Sequence, residues 1–341
     1  MNGLFPRLVA ALLAPPLLVV PAEGRAAPAA ADPLAALEAR LPSLAREARG
    51  DVGVRVVHLP SGRTASLLPD RRFPLASVFK LPLACALLAK ADASALSLDE
   101  RVEVRRGDLR RIGPLERDWK PGTSLPVASL LEAMMVDSDN TAADLLLARV
   151  GGAGQVQSWL VARGLDSIEV TGSELEMAAL YEGVGLAALP ADRLCDPACL
   201  TALVALVPPE RRREARLRFE GAPMNAGTAR GVAELLVRLR KGELLSAAST
   251  ARLLDLMGRC RTGDGRIRGL LPKETAVLDK TGTVGRGAND AGLVTLPGGR
   301  GEIAIVVLVQ GSEATPRERD RVIARIARAA FDAFGRGVYK K

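Results

Sequence analysis

Residues 275–309 read TAVLDKTGTVGRGANDAGLVTLPGGRGEIAIVVLV. Three runs rich in Val, Ile, Leu and Thr, at 275–284, 291–296 and 302–309, are separated by glycine-bearing turns, the second being Pro297-Gly298-Gly299. Such runs bounded by Gly and Pro predict β-strands, and turns this short join antiparallel neighbours. A helix follows: Thr315-Pro316 supplies its start, Val322, Ile323, Ile326, Ala330 and Phe334 recur at the helical period, and Gly335 closes it. The N-terminal side mirrors this order. Asp32-Pro33 opens a helix with Leu34, Leu37, Leu41 and Leu44 on one face and Gly50 beyond it, and 52–59 and 63–68 form two strands about Pro60-Ser61-Gly62. Between the two ends, 77–256 is mostly helical in period, as in Leu130 with Met134, Leu145 and Leu146 with Val150, and Val232, Leu235, Leu236 and Leu239. The expected fold is therefore α+β. The two ends, 32–70 and 270–335, combine into a lobe with one five-stranded antiparallel sheet flanked by terminal helices, and 71–269 forms an all-helical lobe.

The chain has 341 residues, 48% hydrophobic and 25% charged, which suits a globular protein with a sizeable core. Aromatic residues make up 3%, so packing must rest on Leu, Val and Ala. At the N-terminus Arg7 precedes an apolar run, 8–22, broken by Pro15 and Pro16, and small residues follow at 26–31. That is the order of a secretory signal, 1–29, ahead of a catalytic body spanning 30–341. The run is short for a bilayer span of ~20 residues, and no later stretch is long and uncharged enough to cross a membrane. The protein is expected to be exported, periplasmic or secreted, without stable membrane insertion.

The formal charge is +8, with Lys and Arg dispersed apart from a dense patch at 211–218. No zinc-finger spacing, basic zipper or aromatic-basic RNA motif accompanies it, so no nucleic acid partner is expected. The four cysteines, Cys85, Cys195, Cys199 and Cys260, permit three fully paired connectivities; Cys195 and Cys199 are the nearest pair, and Cys85 lies in an apolar run as a buried thiol. Cys195 and Cys199 have no His or second Cys pair nearby, so neither a metal nor a cofactor is expected. One histidine, His58, ends an apolar run. A Ser-His-Asp hydrolase would need it as its base, and a zinc hydrolase wants two or three. Both classes become improbable, and His58 is expected to be a strand-end residue without a chemical role.

Chemistry without histidine is nevertheless written in the chain. Ser77-Val78-Phe79-Lys80 places a serine and a lysine three apart where a helix begins, so that both lie on one face. A desolvated lysine can activate a serine, and the helix N-terminus favours a developing oxyanion. Pro82 is expected to kink that helix. Ser138-Asp139-Asn140 follows between two helical faces, and Lys280-Thr281-Gly282 lies inside a strand. In this order, the three motifs are the signature of class A β-lactamases and penicillin-binding proteins.

The chain resembles the class A β-lactamases beyond these motifs, in the ten residues from Ser138, in Gly242-Glu243-Leu244-Leu245-Ser246, in 278–283 and in 323–329. The resemblance runs from about Leu34 to Phe334. It implies that Ser77 is acylated, Lys80 helps remove its proton, and Ser138 relays a proton to the leaving lactam nitrogen. Asn140 would hold Lys80 and the substrate's side-chain amide, and Lys280, Thr281 and Thr283, within Lys280-Thr281-Gly282-Thr283, would bind its carboxylate. The N–H groups of Ser77 and Thr283 would form the oxyanion hole. The substrate would be a small β-lactam, and the enzyme a monomer.

Release of the acyl group calls for a further base. The family carries it in Glu-x-x-Leu-Asn, and the matching stretch here is Ser173-Glu174-Leu175-Glu176-Met177-Ala178, with Glu174 as the implied base. Ala178 stands where the family has asparagine, and Gly172 where arginine commonly precedes the glutamate. The segment from Ala178 to Asn225 is longer than the family's omega loop and is expected to be a surface excursion, with reshaping of the cleft rim as the alternative. Two alternatives share the motifs: a peptidoglycan D-Ala-D-Ala carboxypeptidase or transpeptidase, and a penicillin-binding sensor that acylates but turns over slowly.

Overall fold

A computed structural model describes Met1, Gly3, 33–221 and 224–335. The expected export signal, Met1 and Gly3 aside, and the expected cap Asp32 lie outside the described residues. Five strands, β1 (Asp51–His58), β2 (Thr64–Leu67), β3 (Val277–Val284), β4 (Gly287–Thr295) and β5 (Glu302–Gln310), form one antiparallel sheet in the order β2-β1-β5-β4-β3.

The central strand β5 shows why the chain folds this way. Its run Ile303-Ala304-Ile305-Val306-Val307-Leu308-Val309 is buried on both faces, and because side chains alternate across a strand the two faces feed two cores. Ile303, Ile305, Val307 and Val309 pack with the helices α1 (Pro33–Arg46) and α11 (Pro316–Gly335). Ala304, Val306 and Leu308 pack against the helical part of the chain. Fully burying an aliphatic side chain of this size contributes roughly 1.5–3 kcal/mol. α11 begins as expected: Thr315 accepts from the Glu318 N–H, Glu318 accepts from the Thr315 N–H, and Pro316 opens the helix. Arg266 and Asp290 are buried nearby.

The helical part contains α2 (Lys80–Asp92), α3 (Val127–Val136), α4 (Asn140–Val150), α5 (Ala153–Val161), α6 (Glu174–Tyr181), α7 (Pro197–Ala205), α8 (Pro209–Gly221), α9 (Ala229–Arg240) and α10 (Ala247–Gly258). Two short strand pairs, Arg72–Pro74 with Ala226–Thr228 and Arg101–Glu103 with Ser124–Pro126, interrupt the region read from sequence as mostly helical.

Two departures from expectation have identifiable physical causes. β4 begins at Gly287 rather than residue 291. Gly287, Asn289 and Asp290 look like turn formers, yet the strand pairs there with both neighbours. Asn289 is satisfied inside the protein: its amide donates to the Pro74 and Leu75 carbonyls at 2.7 and 3.0 Å and accepts from the Val309 N–H at 3.1 Å. Tertiary hydrogen bonds thus override the local preference. The second difference concerns Pro82. A single 3-10 turn, Ala76–Phe79, carries Ser77, and the α-helix starts only at Lys80. Pro82 therefore sits in the first turn, where its missing N–H has no intrahelical partner to lose, and the helix continues through it.

Candidate active site

Ser77 stands on that 3-10 turn, partly exposed between buried neighbours. Ala76, immediately before it, has φ +46°, a conformation that L-residues adopt at a cost of about 1–3 kcal/mol. The turn's first hydrogen bond runs from the Val78 N–H to the Leu75 carbonyl at 3.1 Å, which leaves the Ser77 N–H outside the ladder. Asn289 fixes the preceding carbonyls to the sheet. On the other side, Gly282 of β3 packs against this backbone: a Cβ there would lie 2.6 Å from the Leu75 oxygen and 3.0 Å from the Ser77 nitrogen. Only glycine lets the strand come this close. β3 is the edge of the sheet, so part of its backbone remains unpaired by neighbouring strands.

Lys80 is fully buried and joins three elements. Its ammonium donates to the Ser138 carbonyl at 2.8 Å and to Asn140 Oδ1 at 2.6 Å, and lies 3.4 Å from Ser138 Oγ. It also lies 2.9 Å from Glu174 Oε1. That carboxylate oxygen is buried without a hydrogen-bond partner, so the contact is a charge pair off hydrogen-bond alignment. Lys280 reaches the same hydroxyl from β3, donating to Ser138 Oγ at 2.9 Å and to the Thr281 carbonyl at 2.9 Å. Burial, with the Lys80 charge beside it, pushes the Lys280 ammonium down to about 8. Ser138 itself sits at φ +59°. Asp139 caps α4 by accepting from the Ala142 N–H, and it also accepts from Leu115 N–H, both at 2.8 Å; burial raises its carboxyl.

Glu174 and Glu176 part company structurally. Ser173 caps α6 and forms a capping box with Glu176, which also pairs with Arg193 at 3.3 Å. Glu174 instead points to Lys80. Its N–H donates to Asp144 Oδ1 at 2.7 Å, and the Leu175 N–H to Oδ2 at 3.2 Å. Asp144 is paired with Arg110 at 2.7 Å, both nearly buried, and burial pushes its carboxyl up while Arg110 pulls it back. Buried Asn225 holds the other end, accepting from the Thr171 and Gly172 N–H groups at 2.8 and 3.1 Å and donating to the Gly172 carbonyl.

Further along β3, Thr281 shares a hydrogen bond with Thr262 at 2.5 Å, whereas Thr283 is exposed. Arg266, buried, donates to Thr283 Oγ1 at 2.7 Å and to the Gly282 and Asn289 carbonyls, each at 2.9 Å. The structure thus brings Ser77, Lys80, Ser138, Asn140, Glu174, Lys280, Gly282 and Thr283 into one cleft, with Thr281 beside it. Sequence reading missed Arg266, Asp144, Arg110, Asn225 and Asn289. Only the Ser-x-x-Glu capping box was there to be read, and it would have separated Glu176 from Glu174.

His58 ends β1, its ring bonded to Ser61 Oγ and the Arg300 carbonyl and stacked on Phe334, away from the cleft residues. Cys195 and Cys199 form a disulfide, and Cys85 and Cys260 are buried free thiols. The long segment after Ala178 lies at the surface as expected: α7 has no buried side chain and α8 has only Phe219. Leu200, Leu203 and Val204 of α7, partly buried, pack against a small core that includes Leu175 and Ala179 of α6, and Phe219 of α8 meets Tyr181 of α6 edge-on at 5.7 Å.

The beta-lactamase enzyme family matches residues 36–334. Beta-lactamase L2 of Stenotrophomonas maltophilia is 31% identical over 96% of this chain and 95% of its own. A solved beta-lactamase from Chitinophaga pinensis is 30% identical with TM-score 0.73, covering 87% of this chain and 99% of that one. An ancestral class A beta-lactamase is 31% identical with TM-score 0.71, covering 87% of this chain and 99% of that one. Motifs, sheet order and whole-chain similarity agree, and the chain belongs to the beta-lactamase enzyme family as a class A serine β-lactamase.

Proposed function

We propose that this enzyme opens the β-lactam amide through an ester on Ser77. A proton passes from Lys80 to Glu174 across the 2.9 Å contact, and the neutral amine then takes the Ser77 proton as Oγ attacks the lactam carbonyl. The oxyanion is met by the N–H groups of Ser77 and Thr283. The C–N bond breaks, and Ser138, held between two lysines, gives its proton to the nitrogen and regains one from Lys80. Glu174 then returns its proton to Lys80. For release, the carboxylate takes a proton from water as the oxygen attacks the ester, Ser77 leaves with the Lys80 proton, and Glu174 passes its own back to Lys80. Asn140 holds the side-chain amide, and Lys280, Thr281 and Thr283 hold the carboxylate, with Arg266 fixing the last.

The observation that carries this reading is the convergence of Ser138, Asn140 and Glu174 on the buried Lys80 ammonium, with one Glu174 oxygen left free to accept a proton. A permanently acylated sensor has no need of that second base. Nitrocefin hydrolysis by purified protein tests it. Ser77→Ala should abolish both turnover and covalent labelling by a fluorescent penicillin, and labelling at wild-type stoichiometry would remove Ser77 from the scheme.

Export completes the proposal. The charged start, apolar run and small residues of 1–29 act as a secretion signal, and the body, 30–341, works as a monomer in the periplasm or medium. Among the described residues no helix is long and apolar enough to cross a membrane. Intact mass of the exported protein tests the cleavage.

A further inference from the structure

Arg110 sits where distant stretches of the chain meet. Its guanidinium is nearly buried and pairs with Asp144 through Nε at 2.7 Å. Nη1 donates to the Gly107 and Leu109 carbonyls at 2.9 Å and to the Cys195 carbonyl at 3.2 Å, and Nη2 donates to the Arg193 carbonyl at 3.2 Å. Because the donors of a guanidinium lie in a rigid planar fork, moving one acceptor re-aims the others. Asp144 in turn accepts from the Glu174 N–H at 2.7 Å and the Leu175 N–H at 3.2 Å. A continuous path of hydrogen bonds thus runs from the Cys195 carbonyl, through Arg110 and Asp144, to the backbone of Glu174.

The start of that path is fixed by a covalent bond. Asp196 caps α7 by accepting from the Cys199 N–H at 2.9 Å, and the Cys195–Cys199 disulfide closes over this cap. The bridge ties the residue before the cap to the first turn of the helix. Next to it the chain is tightly shaped: Arg193 has φ +59°, its carbonyl accepts from the Cys195 N–H at 3.1 Å, and a Cβ on Gly107 would lie 2.6 Å from Leu194 Cβ. A bridge over so short a loop takes little freedom from the unfolded chain. What it holds is local, the direction of the carbonyl that Arg110 uses. Cys195 is buried, whereas Cys199 is partly exposed and open to attack by a thiol.

We propose that the Cys195–Cys199 disulfide, acting through the positioning residues Arg110 and Asp144, sets Glu174 for release, so that the redox state of the segment after Ala178 governs the lifetime of the acyl-enzyme. This rests on Glu174 being the base for release. A dithiol reductant opens the bridge: its thiolate attacks Cys199 Sγ, the S–S bond breaks with Cys195 Sγ leaving as thiolate, and the second thiol displaces Cys199 as the reductant closes to a cyclic disulfide. Two electrons and two protons pass from the reductant to the two cysteines. The Cys195 carbonyl then turns away from Arg110, Arg110 re-aims, and Asp144 carries the Glu174 N–H with it. Acylation suffers less, because Lys80 keeps the Ser138 carbonyl and Asn140 Oδ1, whereas release needs Glu174 to face both Lys80 and a water.

Protein reduced with dithiothreitol, its opened bridge confirmed by alkylation and intact mass, is compared with oxidised protein in single turnovers of benzylpenicillin. The ratio of the release to the acylation rate constant should fall about tenfold, inside the ~10²-fold that a misplacement of about 1 Å can cost, and reoxidation should restore it. The double variant Cys195→Ser/Cys199→Ser should start at the reduced ratio and ignore dithiothreitol, since Cys85 and Cys260 are already free thiols. Asp144→Asn keeps an acceptor for the Glu174 N–H but loses the charge that Arg110 pairs with. It should lower the ratio by itself and then respond to reduction by less than about twofold, as members of one network are non-additive. A bridge that served only stability would lower the melting temperature and leave the ratio unmoved. An unchanged ratio on reduction, equal slowing of both steps, or a full response in Asp144→Asn overturns the proposal. If oxidised Glu174→Gln protein releases at the wild-type rate, the assignment of Glu174 has failed instead.

Discussion

Glu174→Gln keeps the shape of the side chain while removing its basicity, so acylation, which loses the acceptor for the Lys80 proton, slows, and release, which loses the base assigned to the water, slows more. In the folded protein Glu174 Oε1 sits 2.9 Å from Lys80 and has no hydrogen-bond partner. A glutamine cannot take a proton from water there. General-base catalysis contributes typically 10²–10⁴-fold, so deacylation should slow by that factor, equivalent to about 3–5 kcal/mol of barrier. Lys80 keeps two acceptors, the Ser138 carbonyl and Asn140 Oδ1, so the buried ammonium is not stranded and the fold should survive. Acyl-enzyme should accumulate and be seen by intact mass as the gain of the whole substrate, because the opened ring keeps its nitrogen tethered. Ala178 offers no amide to hold the water, so single-turnover rates are the proper comparison. Glu176→Gln is the control: a glutamine still accepts from the Ser173 N–H in the capping box, and release should stay close to wild type. If both variants deacylate at the wild-type rate, Glu174 is not the base and the sensor or peptidase chemistry becomes the better account.

The Lys280 ammonium, pushed down to about 8 by burial, is charged below that pH and neutral above it. For substrates bearing a carboxylate, kcat/KM should therefore fall as pH rises through about 8, with Lys280→Arg extending activity to higher pH; a flat profile to pH 10 would contradict this. Lys280→Ala should lower kcat/KM more for carboxylate-bearing substrates than for those without, and equal losses would remove the assigned role. Gly282→Ala places a methyl 2.6 Å from the Leu75 oxygen, so overpacking of about 1–3 kcal/mol should appear in urea melts together with a loss of activity. Asp144→Ala leaves the nearly buried Arg110 unpaired and frees two N–H groups of α6. A loss of about 3–5 kcal/mol is expected, with release of acyl-enzyme slowed more than its formation; equal stability to wild type would refute the pairing.

The sequence by itself determined the elements whose physics is local. The continuous apolar run 302–309 between glycine-bearing turns and the helical period of Val322, Ile323, Ile326 and Ala330 required a buried strand and a helix with one buried face, and the structure packs them accordingly. Spacing also declared the reacting groups, because Ser77 and Lys80 three apart, Ser138 with Asn140, and Lys280 on a strand are short-range patterns. Only the tertiary structure decided what surrounds them. Asp144 steadies Glu174 across thirty positions of chain, Arg266 reaches Thr283 from outside the strand, and Asn289 makes a turn-like stretch part of β4. The lowered Lys280 charge and the link from Cys195 to Arg110 likewise arise from groups distant in sequence. Desolvation, ion pairing and tertiary hydrogen bonding depend on which distant residues meet, and a local pattern carries no record of that meeting.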